Sequence, residues 1–290
     1  MSKNNFVLLR GGGDLATGVA LRLHRAGIRV IITELAQPLA VRRTVSFAEA
    51  VYEGSQTVEG VTGRLIEANQ LSAHPERRRR GNDADEIPVI VDPNADILLH
   101  NMFYAVVDAR LTKQTPPPLP KDVPLHIGLG PGFHAGRDCH AVIETRRSHT
   151  LGRVFWSGTT QPDSGVPEGD PRRVLRAPSD GIMIGLKQIG NHCEVGETIA
   201  NIQVGRYTSI QVQSPFAGVL RGIIRDGIQV TKDMKIGDVD PRNDPRICFL
   251  VSDKALAIGG GVLEAILSKE EIRKRLWTPA RLPFRGRYIK

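Results

Sequence analysis

The chain has 290 residues, 40% of them hydrophobic and 24% charged, an ordinary globular composition that is long enough for two domains. No run approaches the roughly 18 consecutive apolar residues of a membrane span, and the first residues lead into an apolar segment without a signal-peptide core, so a soluble, cytoplasmic protein with no membrane partner is expected. The net charge of +8 favours anionic partners, but part of it sits in the arginine run 77–80 and in Arg281, Arg285, Arg287 and Lys290, and 5% aromatic content disfavours a base-stacking nucleic-acid reader.

An apolar run over 6–9 precedes Gly11-Gly12-Gly13-Asp14-Leu15-Ala16-Thr17-Gly18, an amphipathic stretch to Gly27, and a second apolar run that ends at Glu34. This order predicts strand, glycine turn, helix, strand and acid. Gly11 and Gly13 permit a tight turn and close backbone approach, Ala16 lets helix pack on strand, and the helix start offers N–H groups to an anion. Glu34 stands about 20 residues beyond the turn, where an acid meets a ribose hydroxyl. A nucleotide or dinucleotide is the ligand expected on Gly11, Gly12, Gly13, Asp14, Ala16, Thr17 and Glu34.

Arg42 and Arg43 fall just beyond, where guanidinium forks suit phosphate or carboxylate as well as they suit a solvated helix start. Apolar residues at 45, 48, 51 and 52 keep helical spacing, 72–87 reads as a polar surface loop, and 89–91 and 104–107 read as further buried strands. Gly128, Gly130 and Gly132 follow another apolar run, and are expected to face the same crevice as the first loop at the carboxyl edge of a parallel sheet. Asp138 and His140 beside them are candidate acid/base residues. The spacing of His134, Asp138, Cys139, His140, Glu144 and His149 matches no zinc pattern, so no metal is expected. Cys139, Cys193 and Cys248 are too few and too far apart for a disulfide framework.

Residues 161–173, rich in Pro, Gly and Asp, are the expected linker. Beyond it lies a repeat: Pro178 aligns with Pro215, Gly181 with Gly218, Gly185 with Gly222, Gly190 with Gly227 and Ile199 with Ile236, at one constant offset and without a gap. Each copy is too small to bury its own apolar face, so the two should pair about a pseudo-two-fold axis. The pattern resembles the barrel-sandwich hybrid of biotinyl and lipoyl carrier domains. The connection between copies, Gly205-Arg206-Tyr207-Thr208-Ser209, has no lysine, so neither biotin nor lipoyl attachment is expected. A strand over 247–251, an N-cap at Ser252 or Asp253 and a glycine-interrupted helix complete the reading.

The motifs Arg10-Gly11-Gly12-Gly13-Asp14, Pro38-Leu39-Ala40-Val41-Arg42-Arg43, Gly128-Leu129-Gly130-Pro131-Gly132-Phe133, Ser214-Pro215-Phe216 and 235–242 resemble those of the YqeB-type accessory proteins of the selenium-dependent molybdenum hydroxylase system. The resemblance implies a role in maturing such hydroxylases, with a hydroxylase or its maturation proteins as partner and NAD(P) or a molybdopterin nucleotide as ligand. Selenium handling would call for a thiolate, and Cys139 is the cysteine nearest the second glycine loop. The expected architecture is α/β: a Rossmann-like parallel sheet domain over 1–160, the linker, an all-β barrel-sandwich hybrid over 174–246, and a strand, helix and basic tail over 247–290 packing on the first domain. Rival readings are an NAD(P)-dependent oxidoreductase and a non-catalytic scaffold that docks a hydroxylase through the β domain. Whether a bond is made or broken, and whether the chain forms a homo-oligomer, stay open.

Overall fold

The computed structural model describes residues 6–73, 86–167 and 169–276; the arginine run 77–80, most of the polar stretch 72–87 and the basic tail lie outside the described residues. Strand β1 (Phe6–Arg10) is buried along its whole length, as a central parallel strand covered on both faces must be. Helix α1 (Asp14–Arg25) returns the chain to β2 (Arg29–Glu34), and short turns at Arg43–Val45 and Phe47–Glu49 run into α2 (Ala50–Glu53). The hairpin β3 (Ser55–Val58) and β4 (Val61–Leu65) closes through Glu59 and Gly60, both at positive φ (47° and 83°), the geometry that matches the right-handed twist of paired strands. Then come β5 (Ile87–Val91), α3 (Ile97–His100), β6 (Phe103–Asp108), β7 (His126–Leu129), β8 (Ala141–Ile143) and β9 (Val154–Phe155).

Among the described residues these strands form one nine-stranded sheet in the order β3-β4-β5-β2-β1-β6-β7-β8-β9. Neighbours from β4 to β8 are parallel, whereas β3 and β9 pair antiparallel at the two edges.

The second half comprises β10 (Val174–Arg176), β11 (Gly181–Gly185), β12 (His192–Cys193), β13 (Thr198–Gln203), β14 (Ser209–Gln213), β15 (Gly218–Ile223), β16 (Gln229–Val230) and β17 (Lys235–Asp240). They build two four-stranded sheets, β10-β17-β15-β12 and β14-β13-β11-β16. Carrying each strand to its counterpart in the other repeat copy converts one order into the other, so both sheets interleave strands of both copies. Neither copy closes a sheet alone, and a single apolar cluster that includes Met183, Ile199, Leu220 and Val239 lies between them.

Helix α4 (Asp253–Ser268), capped by Ser252 whose Oγ accepts the Ala255 N–H at 3.1 Å, lies against α1. The approach is close enough that a Cβ on Gly18 would stand 2.6 Å from Cβ of Ala255, and one on Gly259 2.8 Å from the Gly18 carbonyl oxygen. Helix α5 (Glu270–Leu276) follows.

The expected architecture is therefore corrected. The first sheet is mixed rather than Rossmann-like: its edges are antiparallel, and the connections from β6 onward carry no helix, so one face is covered instead by α1 and the sequence-distant α4. The β region is two separate antiparallel sheets rather than a barrel-sandwich hybrid of carrier type. The strand expected over 247–251 is a tight helical turn, Pro245–Phe249, because the Asp244 carboxylate accepts the Arg246 N–H at 3.0 Å and Pro245 fixes the first residue for a helical start.

Candidate functional site

The carboxyl edge of the parallel strands opens into a cleft of about 1310 Å³, where open α/β sheets place ligands. One wall carries Gly11, Gly13, Asp14, Glu34 and Arg42; the facing wall, from the antiparallel sheets, carries Arg173, Arg221, Lys235, Asp238 and Asp240.

The glycine turn is held from beneath. Gly11, at φ +97°, donates its N–H to the Thr33 carbonyl at 2.7 Å, and the Gly12 carbonyl accepts from the Ala48 N–H at 2.8 Å and the Thr17 hydroxyl at 3.2 Å. Thr17 is fully buried and also accepts the Phe47 N–H, so it braces the loop rather than meeting a ligand. Glu34 accepts the Gly12 N–H at 2.6 Å and the Leu35 N–H at 2.7 Å. Burial raises the Glu34 pKa, and these two donors partly offset it. The acid expected to meet a ribose thus ties down the Gly12 amide of the loop. Beyond it the amides of Gly13, Asp14, Leu15 and Ala16 donate to no group among the described residues, and Gly13 caps α1 without a side chain. These N–H groups, at the positive end of α1, are what an anion meets.

Arg42 and Arg43 part company. Arg43 donates to the Ile223 carbonyl at 2.8 Å and to Glu49 at 3.0 Å, joining the first sheet to β15. Arg42 stays in the cleft with its side chain 10% exposed, 3.6 Å from Asp14 and donating to the Ile247 and Leu250 carbonyls, while its buried Nε has no partner among the described residues. Burial lowers its pKa, countered in part by Asp14.

On the facing wall Arg221 donates to Asp238 and, at 3.0 Å, to Asp240; Arg173 also binds Asp238, and Arg242 grips Asp240 through Nε and a terminal nitrogen at 2.9 and 2.6 Å. Burial pushes the Asp240 pKa up, but the Arg242 hydrogen bonds and the two guanidinium charges outweigh it and leave it at about 2. Lys235 makes no hydrogen bond or ion pair among the described residues. It is exposed on the cleft wall, and desolvation lowers the pKa of its ammonium while Asp238 and Asp14 oppose that shift.

The second glycine loop sends only Pro131 to the cleft. Positions where a Cβ would project from Gly128, Gly130 and Gly132 are taken by Phe133, Thr145 and Gln114 of the chain itself, so those glycines serve packing. Asp138 accepts the His134 N–H at 2.9 Å and pairs with Arg137, which holds its carboxyl below the usual range. The His140 ring accepts the His126 N–H at 2.9 Å. Cys139 is buried, donates to the Ala141 carbonyl at 3.3 Å, and has its thiol pushed up to about 11 by burial. None of these three lines the cleft, and among the described residues no group of three or more His, Cys, Asp or Glu could hold a metal ion. Cys193 and Cys248 are buried with raised pKa as well, so in native protein at pH 8 all three thiols should react slowly with an aromatic disulfide and rapidly only after denaturation. Fast release from the native protein would contradict that burial.

Residues 235–242 stand among the sequence motifs, but nothing local gives Lys235, Asp238 or Asp240 a role or singles out Arg221, although the repeat carries a signal. At the constant offset Ile184 aligns with Arg221, Thr198 with Lys235, Asn201 with Asp238 and Gln203 with Asp240. One copy is neutral where the other is charged.

Over 270 residues, 92% of this chain, the sequence is 45% identical to the uncharacterized protein YqeB of Escherichia coli strain K12. Nearly the whole of this chain is thus similar to part of YqeB. It spans about half of that relative, 48% of its length. No family model matches the chain. Among solved structures it is similar, at 14% identity and TM-score 0.28, to an aspartoacylase family protein from Mesorhizobium loti, covering 81% of this chain and 84% of that one. It is also similar to a succinylglutamate desuccinylase from a Silicibacter species, at 13% identity and TM-score 0.25 over 81% and 84% of the two chains. Similarity to YqeB leaves the chemistry to be argued from the cleft. No helix among the described residues is long and apolar enough to cross a membrane.

Proposed function

We propose that this protein is an accessory protein that holds a nucleotide, or a nucleotide-bearing cofactor, during maturation of a selenium-dependent molybdenum hydroxylase. The observation that carries the binding half is the set of unpartnered amides from Gly13 to Ala16, opening into a cleft that also presents Arg42. A phosphate docked there accepts several N–H groups and meets the helix dipole, and a cleft of about 1310 Å³ has room for a base and sugar beyond it. The maturation half rests on the motif resemblance.

Thermal denaturation across NAD, NADP, ATP, CTP and molybdopterin nucleotides is the direct test. A ligand at about 100 times its Kd adds about 2.7 kcal/mol to the folded state, which for a chain of this size raises Tm by about 5 °C. No shift with any of them overturns the binding half. For the maturation half, hydroxylase activity should fall in cells lacking this protein and return on complementation.

A further inference from the structure

Building on the nucleotide reading, we propose that Lys235 of β17 supplies the second half of the phosphate site, facing the α1 amides and Arg42 across the cleft, so that a phosphorylated end carrying at least two negative charges bridges the parallel sheet and the antiparallel sheets.

Three observations converge on this. First, the charges around the α1 N-terminus do not cancel. Arg42, Arg173, Arg221, Lys235 and Arg242 line the cleft with Asp14, Glu34, Asp238 and Asp240, five cations against four carboxylates. The surplus positive charge, added to the positive end of α1, is what a phosphate dianion or a diphosphate would meet. Second, the unsatisfied groups are those that suit such a ligand. Arg173, Arg221 and Arg242 are spent on Asp238 and Asp240, leaving the Lys235 ammonium, among the described residues, with no hydrogen bond or close ion pair and only the longer-range attraction of Asp238 and Asp14; Arg42, nine-tenths buried in the same cleft, has an unpaired Nε. Third, the fold does not need the lysine. The counterpart strand β13 holds the same place in its sheet with Thr198, so the charge at 235 is surplus to the pairing geometry. Lys235 is exposed to the cleft; desolvation lowers its pKa, with Arg173 beside β10 and Arg221 of β15 adding to the shift and Asp238 of its own strand and Asp14 of α1 opposing it.

The test is calorimetric titration of the full chain with inorganic pyrophosphate, ADP and adenosine, comparing wild type with Lys235→Met and with the control Lys232→Met, whose side chain is exposed outside the cleft. Lys235→Met should weaken pyrophosphate and ADP about ten- to a hundredfold, leave any adenosine binding unchanged and leave Tm within about 1 °C, whereas Lys232→Met should match wild type. Wild-type affinity for pyrophosphate should also fall on raising the pH from 7 through the lowered Lys235 pKa, and that fall should be absent in Lys235→Met. If wild type binds ADP and Lys235→Met binds it equally well, the bridging role is overturned while the nucleotide reading stands. If pyrophosphate binds and is weakened by Lys235→Met but no nucleotide binds, the nucleotide reading fails and the bipartite phosphate site survives. Binding of neither probe overturns both.

Discussion

Replacing Arg221 with alanine is expected to lower stability at pH 7 by about 3 kcal/mol. Its guanidinium lies between Asp238 and Asp240, whose side chains are 1% and 5% exposed, and removing it leaves two buried carboxylates with only Arg173 and Arg242 at their outer edges. Urea midpoints would show the loss. The pH dependence gives the sign of the mechanism. In wild type the Asp240 pKa is depressed to about 2 from an ordinary 3.8, so its contribution is present above pH 3.8 and is lost as the pH falls toward 2. Without Arg221 that depression shrinks, so the gap between the two proteins should hold from pH 7 to about pH 4 and narrow as the pH falls on toward 2; a gap constant over that lower range would mean that lost packing, not charge, is responsible. The neutral repeat copy supplies the rescue: Arg221→Ile with Asp238→Asn and Asp240→Gln installs the residues found at 184, 201 and 203, and should recover most of the loss.

What the sequence could and could not say follows from the range of each interaction. The run from β1 through the glycine turn and α1 to Glu34 was legible because periodicity, turn residues and helix start all act within a few positions. The repeat was legible as an alignment, and its offset reappears as two sheets with corresponding strand orders. Long-range facts were not. Glu34 looks like a ribose acid from its spacing, but the turn brings the Gly12 N–H to 2.6 Å, so the carboxylate serves the loop as well. Gly128, Gly130 and Gly132 announce close approach without saying to what, and the answer is Phe133, Thr145 and Gln114. Arg42 and Arg43 are adjacent in sequence, yet one lines the cleft and the other holds β15. The turn at Pro245–Phe249 reads as a strand from its apolar residues, and the Asp244 carboxylate that nucleates it is a signal that hydropathy ignores. The facing wall of the cleft lies more than a hundred positions from the glycine turn, and no local pattern reports that distance in space.

Gly13→Asp should separate folding from binding with opposite signs. Gly13 sits at φ −64° and ψ −178°, backbone open to any residue, and a Cβ there meets nothing within 4 Å, so the substitution strains neither chain nor packing. An aspartate at an N-cap accepts amide N–H groups two and three residues on and favours the positive end of the helix dipole, together a gain of a few tenths to about 1 kcal/mol. The melting temperature should therefore hold or rise slightly. The same carboxylate would occupy the amides of Leu15 and Ala16 and place a negative charge where the phosphate docks. Losing two charge-assisted hydrogen bonds and meeting a like charge costs about 3 kcal/mol or more, a hundredfold or greater loss of affinity for pyrophosphate or nucleotide. A fold kept with affinity lost places the anion on the α1 amides. Undiminished affinity in a variant that melts normally would put the ligand elsewhere in the cleft, leaving these N–H groups to solvent.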